Sequence, residues 1–422
     1  MNDKIGIIGL GYVGLPLAVE FAKKYEVVGF DTNANRINEL NNCIDRTKEI
    51  SKNDLANILG DKFSVTFSSI KKNLKDVDIY IITVPTPVTE EKKPDLSFLN
   101  NASSLVGSFL KKDNIVIYES TVFPGCTEEK CVPILEKSSG MKYNIDFYCG
   151  YSPERISPGD TKRSITEIVK ITSGSTKKIA KKINDLYSSI IKAGTYLAPS
   201  IKVAEAAKVI ENSQRDLNIS FVNELALIFN RLEIDTNEVL DAAATKWNFL
   251  NFRPGLVGGH CISVDPYYLS AKAKEVGYYP EVLLSGRKVN EKIAPFVANR
   301  VIHLLSESSC AVSTPKILIL GITFKENCPD IRNSKVFDLY KELLLHNVNV
   351  DVHDPIANSD EVKNLFNINM VDTEGLSKYN AIIFAVPHNQ FKEDAYTSLL
   401  NEETIIYDLK NMLDSKFVNE RL

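Results

Sequence analysis

The stretch from Lys4 to Asp31 does most to limit the folds open to this chain. Lys4 to Ile8 is a short β-branched apolar run, the pattern of a strand buried on both faces. Gly9-Leu10-Gly11-Tyr12-Val13-Gly14 follows at once. A helical pattern then runs through Leu17, Phe21 and Ala22, and a second apolar run, Val27 to Phe30, ends at Asp31. A lone GxGxxG carries little weight, but strand, glycine loop, helix, strand and acid in this order form a dinucleotide-binding unit. Gly9 makes the turn, Gly11 admits the pyrophosphate, and Gly14 lets helix and strand pack. The helix N-terminus faces the phosphate charge. Asp31 suits the hydroxyls of an adenosine ribose, which points to NAD. Arg36 keeps NADP open, because a nearby arginine receives a 2′-phosphate in some such sites.

The same pattern returns late in the chain. Lys316-Ile-Leu-Ile-Leu-Gly321 echoes Lys4-Ile-Gly-Ile-Ile-Gly9, Val348 to Val352 ends near Asp354, and Ala381 to Pro387 echoes Tyr80 to Pro85. This second unit lacks the loop glycines. In their place stands Phe324-Lys325-Glu-Asn-Cys-Pro-Asp330-Ile-Arg332-Asn-Ser334, with two cations beside a strand end. Between the echoes, Ile201 to Phe229 has no Gly or Pro and reads as one long helix. Lys208, Asn212 and Arg215 share one face of it. An exposed polar face explains them plainly; a phosphate or oxyanion partner is the functional alternative. Helical patterns are also expected over Val239 to Trp247, Pro266 to Val276 and Glu281 to Ser306, with a linker over Ser306 to Pro315. The expected architecture is α/β: two Rossmann-like doubly wound parallel-sheet domains joined by a long central helix and a helical domain. The expected boundaries are 1–198, 199–308 and 309–422.

Composition excludes several classes. Of 422 residues, 44% are hydrophobic, enough for real cores, and the net charge of -4 gives no reason to expect nucleic acid or a membrane surface as partner. Seven cysteines without a CxxC pair, and five histidines without ligand spacing, argue against a disulfide framework and a metal site. The apolar run from Ile5 to Ala22 contains Glu20 and several glycines, so it reads as strand, turn and helix and not as a signal segment; a cytoplasmic protein is expected.

One loop stands apart: Arg253-Pro-Gly-Leu-Val-Gly258-Gly259-His-Cys261-Ile-Ser-Val-Asp265-Pro-Tyr-Tyr. The paired glycines let backbone approach a ligand closely. Cys261 beside them is either a small buried hydrophobe or a nucleophile. Three further groups follow strand ends, where open parallel sheets bind ligands. Thr86 lies in Val84-Pro-Thr-Pro87, Thr121 in Glu119-Ser-Thr121-Val-Phe-Pro-Gly125, and Glu154-Arg155 in Ser-Pro-Glu-Arg-Ile156. Turn formation alone would explain the threonines, and a solvated pair would explain Glu154 and Arg155.

Together these motifs resemble the UDP-glucose/GDP-mannose dehydrogenase family over essentially the whole chain. The wording FRPGLVGGHCISVDPYYL and YSPERISPGD is similar to the branch that oxidises UDP-N-acetylhexosamines for bacterial capsule and O-antigen synthesis. The resemblance implies oxidation of a sugar CH2OH to a carboxylate with two NAD+ consumed. Cys261 would trap the aldehyde as a thiohemiacetal and carry the acyl group as a thioester. Lys208 and Asn212 would support the oxyanions, Asp265 would assist proton transfer near the lysine, and Thr121 and Glu154 would position water and sugar. NAD would contact Gly9, Gly11, Tyr12, Val13, Gly14, Asp31, Arg36, Thr86, Thr121 and Arg332. The UDP-sugar would contact Glu154, Arg155, Ile156, Lys208, Asn212, Arg215, Gly258 and Lys325. Arg253 would be a substrate cation, acting in its own subunit or reaching a neighbouring subunit of a homodimer.

The chain departs from the UDP-glucose members at Arg155-Ile156, where they carry Phe-Leu, at Pro158, where they carry glutamate, and at Ser263, where they carry lysine. Other readings are a UDP-N-acetylmannosamine or UDP-glucose 6-dehydrogenase, a two-electron hydroxyacid-type dehydrogenase that needs no Cys261, and a non-catalytic nucleotide sensor.

Overall fold

The two sequence echoes become two sheets. The structure is a computed structural model, which describes residues 3–60, 65–156, 163–259, 262–308, 312–376, 378–393, 396, 398–401 and 403–422. In the first sheet the strands are β1 (Ile5–Ile8), β2 (Val27–Phe30), β3 (Val65–Ser68), β4 (Ile79–Ile82), β5 (Ile115–Tyr118), β6 (Tyr148–Tyr151), β7 (Lys170–Gly174) and β8 (Thr195–Leu197). Their order is β3-β2-β1-β4-β5-β6-β7-β8. Every pairing is parallel except β6 with β7. Ile5 sits opposite Val27 on one side and Ile79 on the other. The strand order therefore reverses at β1, which opens the ligand crevice at its carboxyl end. β1, β2, β4 and β5 are buried at every position, which is why they read as unbroken apolar runs. Leu17 and Phe21 of the helix Gly14–Ala22 are fully buried in the core on this sheet, each stabilising by ~1.5–3 kcal/mol.

The second sheet has β9 (Lys316–Leu320), β10 (Asn349–His353), β11 (Ala381–Phe384), β12 (Ile405–Asp408) and β13 (Glu420–Arg421), all parallel, in the order β10-β9-β11-β12-β13. β9 thus repeats the switch-point position of β1. Two parallel-sheet Rossmann-like domains with helices, as expected from sequence, make up the fold.

The chain separates into two compact units, Met1–Glu211 with Tyr267–Tyr278, and Asn212–Pro266 with Tyr279–Leu422. The first division falls inside one continuous helix, Ile201–Arg231. The run expected as one helix from Glu281 to Ser306 is two, Glu281–Glu291 and Ile293–Glu307. Pro295 supplies the reason: without an N–H it cannot continue the ladder, but it is accommodated in a first turn. No described helix is long and apolar enough to cross a membrane.

Candidate active site

The glycine loop after β1 has the shape its sequence requires. Gly9 has φ +96°, open to glycine but strained for other residues. A Cβ on Gly14 would stand 1.8 Å from the Gly9 carbonyl oxygen, so helix and loop pack backbone to backbone. A Cβ on Gly11 would meet nothing within 4 Å; that open space is where a pyrophosphate approaches. Tyr12 and Val13 lead into the helix that starts at Gly14. The Asp31 carboxylate accepts from Leu10 N at 2.9 Å and Asn33 N at 2.8 Å, which fixes it at the end of β2. Arg36 is buried; its Nε donates to the Leu10 carbonyl at 2.9 Å and its Nη2 to Asp45 at 2.8 Å. Asp45 also accepts from Thr47, Glu49 and Ile50, and although burial works against its charge these bonds and Arg36 hold its carboxyl below the ordinary range. The guanidinium is thus committed to bracing the glycine loop, not presented to a 2′-phosphate. The loop, the open space at Gly11 and the acid fit NAD.

Thr86 donates its hydroxyl to the Thr121 carbonyl at 2.7 Å, which ties the loops after β4 and β5 together. Glu205, on the long helix one turn before Lys208, accepts from the backbone N–H groups of Gly125 and Thr127. Burial pushes the Glu205 carboxyl up to about 7. Glu154 is buried after β6, with Oε1 accepting from the N–H of Arg155 at 2.6 Å and of Ile156 at 2.8 Å. Arg155 pairs with Glu211 at 2.8 Å and donates to the Val169 carbonyl at 2.9 Å. Ile156 packs on the core of the first sheet.

On the long helix, Lys208 and Asn212 are buried and Arg215 is exposed. Asn212 Nδ2 donates to Asp265 Oδ2 at 2.6 Å, and Asp265 is fully buried at the start of the helix Asp265–Glu275. The buried Asn212 amide and Asp265 carboxylate together offer a hydrogen-bond donor and a proton carrier. Cys261 lies outside the described residues, as does Pro158.

In the second unit a small cleft of about 70 Å³ is lined by Gly258, Thr323, Phe324, Lys325, Ser334, Lys335, Pro387 and Lys410, among others. Gly258 packs so closely on this loop that a Cβ would stand 2.5 Å from the Asn333 carbonyl oxygen. Lys325 and Gly258 therefore line one cleft. Arg332 chelates Asp330, with Nη2 at 2.7 Å from Oδ2. Arg253 pairs with Asp241 and donates to the Asn237 carbonyl at 3.3 Å. Asp354 occupies the place Asp31 has in the first unit. Its oxygens accept from the N–H groups of Ile322, Thr323, Ile356 and Ala357 and lie 3.1 Å from His388 Nε2. Burial works against its charge, but these partners hold its carboxyl below the ordinary range.

The sequence reading missed Glu119, Lys170, Glu205 and Lys410. Glu119 and Glu205 stand next to motifs that were read, but nothing local marked them as buried.

Two Rossmann-like units, the first with an intact dinucleotide loop and the second with a basic cleft in its place, define an NAD-dependent dehydrogenase that also binds a second nucleotide. Comparison with known proteins gives the same class. Family models for the UDP-glucose/GDP-mannose dehydrogenase family match residues 3–191 as its NAD binding domain, 202–292 as its central domain and 318–415 as its UDP binding domain. The chain belongs to the UDP-glucose/GDP-mannose dehydrogenase family, and its cofactor is NAD. It is 54% identical to a UDP-N-acetyl-D-glucosamine 6-dehydrogenase of Salmonella typhi, over 99% of this chain and 98% of that one. A protein of the same name from Pseudomonas aeruginosa is 51% identical over 100% of both chains. The solved structure of a UDP-D-ManNAc dehydrogenase from Pyrococcus horikoshii superposes with a TM-score of 0.88 at 30% identity, covering 99% of this chain and 98% of that one.

Proposed function

We propose that this chain oxidises the C6 hydroxymethyl of UDP-N-acetylglucosamine to the uronic acid in two successive two-electron steps. The observation that carries this reading is the buried pair that Asn212, on the Ile201–Arg231 helix, makes with Asp265, four residues after Cys261 in sequence. The two relatives named for this activity at 54% and 51% identity support the choice of sugar. NAD+, which the Gly9–Gly14 loop and Asp31 would hold, would supply the hydride acceptor for both steps. Lys208 and Asn212 hold the C6 alkoxide, and Asp265 passes on its proton. The Cys261 thiol adds to the aldehyde to give a thiohemiacetal, whose oxidation leaves a thioester. Water, oriented by Thr121 and Glu154, cleaves the thioester and releases acid and thiol. The balance is one alcohol, two NAD+ and one water giving one carboxylate, two NADH and three protons.

Lys325, Gly258 and Lys410 are assigned to the uridine diphosphate, and Arg155, Ile156 and Arg215 to the sugar side. Asp31 serves the adenosine end of NAD, Arg36 braces the glycine loop beside it, and Arg332 and Arg253 contact ligand only on leaving their present acidic partners. We read the protein as a cytoplasmic homodimer that makes precursor for a surface polysaccharide, with sections 1–198, 199–308 and 309–422 for NAD, catalytic loop and UDP-sugar. The test is NADH stoichiometry with UDP-N-acetylglucosamine and its C4 epimer in parallel. Two NADH per sugar are expected, and Cys261→Ser should yield no acid. One NADH per sugar, or acid from the serine variant, would refute the thioester route; preference for the epimer would reassign the substrate.

A further inference from the structure

β7 carries a lysine into the interior of the first unit. Lys170 is 2% exposed, and its Nζ lies 2.6 Å from Glu119 Oε2 and 2.7 Å from Glu154 Oε2. The Tyr187 hydroxyl donates to the other Glu119 oxygen, and the Tyr187 ring centroid is 5.4 Å from the ammonium. Glu119 follows β5 and Glu154 follows β6, so both carboxylates sit at the strand ends where this sheet meets its ligand.

Stability does not call for such a cluster, since apolar residues of equal volume often serve a core as well or better. Orientation does call for it. A carboxylate has about four acceptor positions. Lys170 takes one on Oε2 of Glu154, and the N–H groups of Arg155 and Ile156 take two on Oε1. One position is left for a hydroxyl or a water.

We propose that Lys170, backed by Glu119 and Tyr187, is the positioning residue that aims Glu154 at the water and sugar of the reaction. This rests on the role given to Glu154 above. The groups that set the charge at Glu154 are Lys170, Glu119 and Tyr187 around its outer oxygen and Arg155, paired with Glu211, beside it.

The experiment measures kcat and KM for NADH formation by the full chain, with folding checked by circular dichroism. Lys170→Met should lower kcat ~10–100-fold, the range for loss of a supporting partner, with KM for the sugar nucleotide changed far less. Lys170→Arg should recover part of the rate. Glu119→Gln weakens the seat of the ammonium and should likewise lower kcat with KM changed far less; this variant decides the matter where Lys170→Met does not fold. Unchanged kcat, or KM rising as much as kcat falls, in the folded variants would overturn the proposal while a crippled Glu154→Gln kept the reading of Glu154 intact. Full activity of Glu154→Gln would instead overturn that reading.

Discussion

Replacing Arg287 with methionine isolates a buried charge pair that supports the Gly255 end of the cysteine loop. Asp216 and Arg287 are 0% and 2% exposed, and Nη1 donates to Asp216 Oδ1 at 2.6 Å. Asn290 donates to the same oxygen at 2.8 Å and accepts from Asn223, also at 2.8 Å. Asn223 in turn holds Gly255 by its N–H at 2.8 Å and its carbonyl at 3.1 Å. Methionine keeps much of the side-chain volume, so the loss is mainly electrostatic. Two unit charges ~4 Å apart interact by ~4 kcal/mol at an effective dielectric of ~20. Breaking a buried pair from one side usually costs ~3–5 kcal/mol. Burial already pushes the Asp216 carboxyl above its usual range, with Arg287 opposing the rise. Without the arginine the folded carboxyl rises further above its unfolded value. Its stabilising protonation is then complete in acid and lost as pH rises, so the destabilisation should be largest above neutrality. We expect a loss of ~3–4 kcal/mol at pH 8 and a smaller one at pH 5, read by urea unfolding in far-UV circular dichroism. Trp247, the single tryptophan, is 92% exposed and a poor fluorescence reporter. The double variant Asp216→Asn/Arg287→Met should recover most of the loss. A single-variant loss below ~1 kcal/mol, or a double variant as unstable as the sum of its parts, would refute this account.

Gly14→Ala forces a methyl to 1.8 Å from the Gly9 oxygen and should abolish NAD binding by calorimetry while UDP binding persists. Gly258→Ala, with its clash on the Asn333 carbonyl, should do the reverse and weaken the sugar nucleotide at least ~10-fold; equal effects on both ligands would contradict the assignment of the two sites. Burial raises the Glu119 carboxyl from 4.5 to about 7. Its folded value lies above its unfolded one, so the stability it lends is complete below about 4.5 and is lost as pH rises through about 7, a swing of ~3 kcal/mol. The stability of wild type minus that of Glu119→Gln should fall over that window and level off above it; a flat difference would contradict the burial argument.

Local constraints were legible in the sequence. The turn at Gly9, the open approach at Gly11, the helix contact at Gly14 and the acid at Asp31 are consequences of backbone geometry within one β-α-β unit, so they left a mark at fixed spacing. The long helix was legible for the same reason, as was the second unit through its repeat of the same apolar runs. Lys170 was not. Its partners Glu119 and Glu154 lie 51 and 16 positions away, and an isolated lysine at a strand start reads as a solvent-facing charge. Asp216 and Arg287 are 71 positions apart, and neither belongs to a motif. Arg36 shows the limit from the other side. Its type and spacing left NAD and NADP both open, and only the fold engaged it with Leu10 and Asp45. Backbone conformation is set by neighbours in the chain, so the sequence alone determined the nucleotide loops and the order of elements. The partner of a buried charge is set by which distant segments the sheets bring together, and that was decided by the tertiary structure.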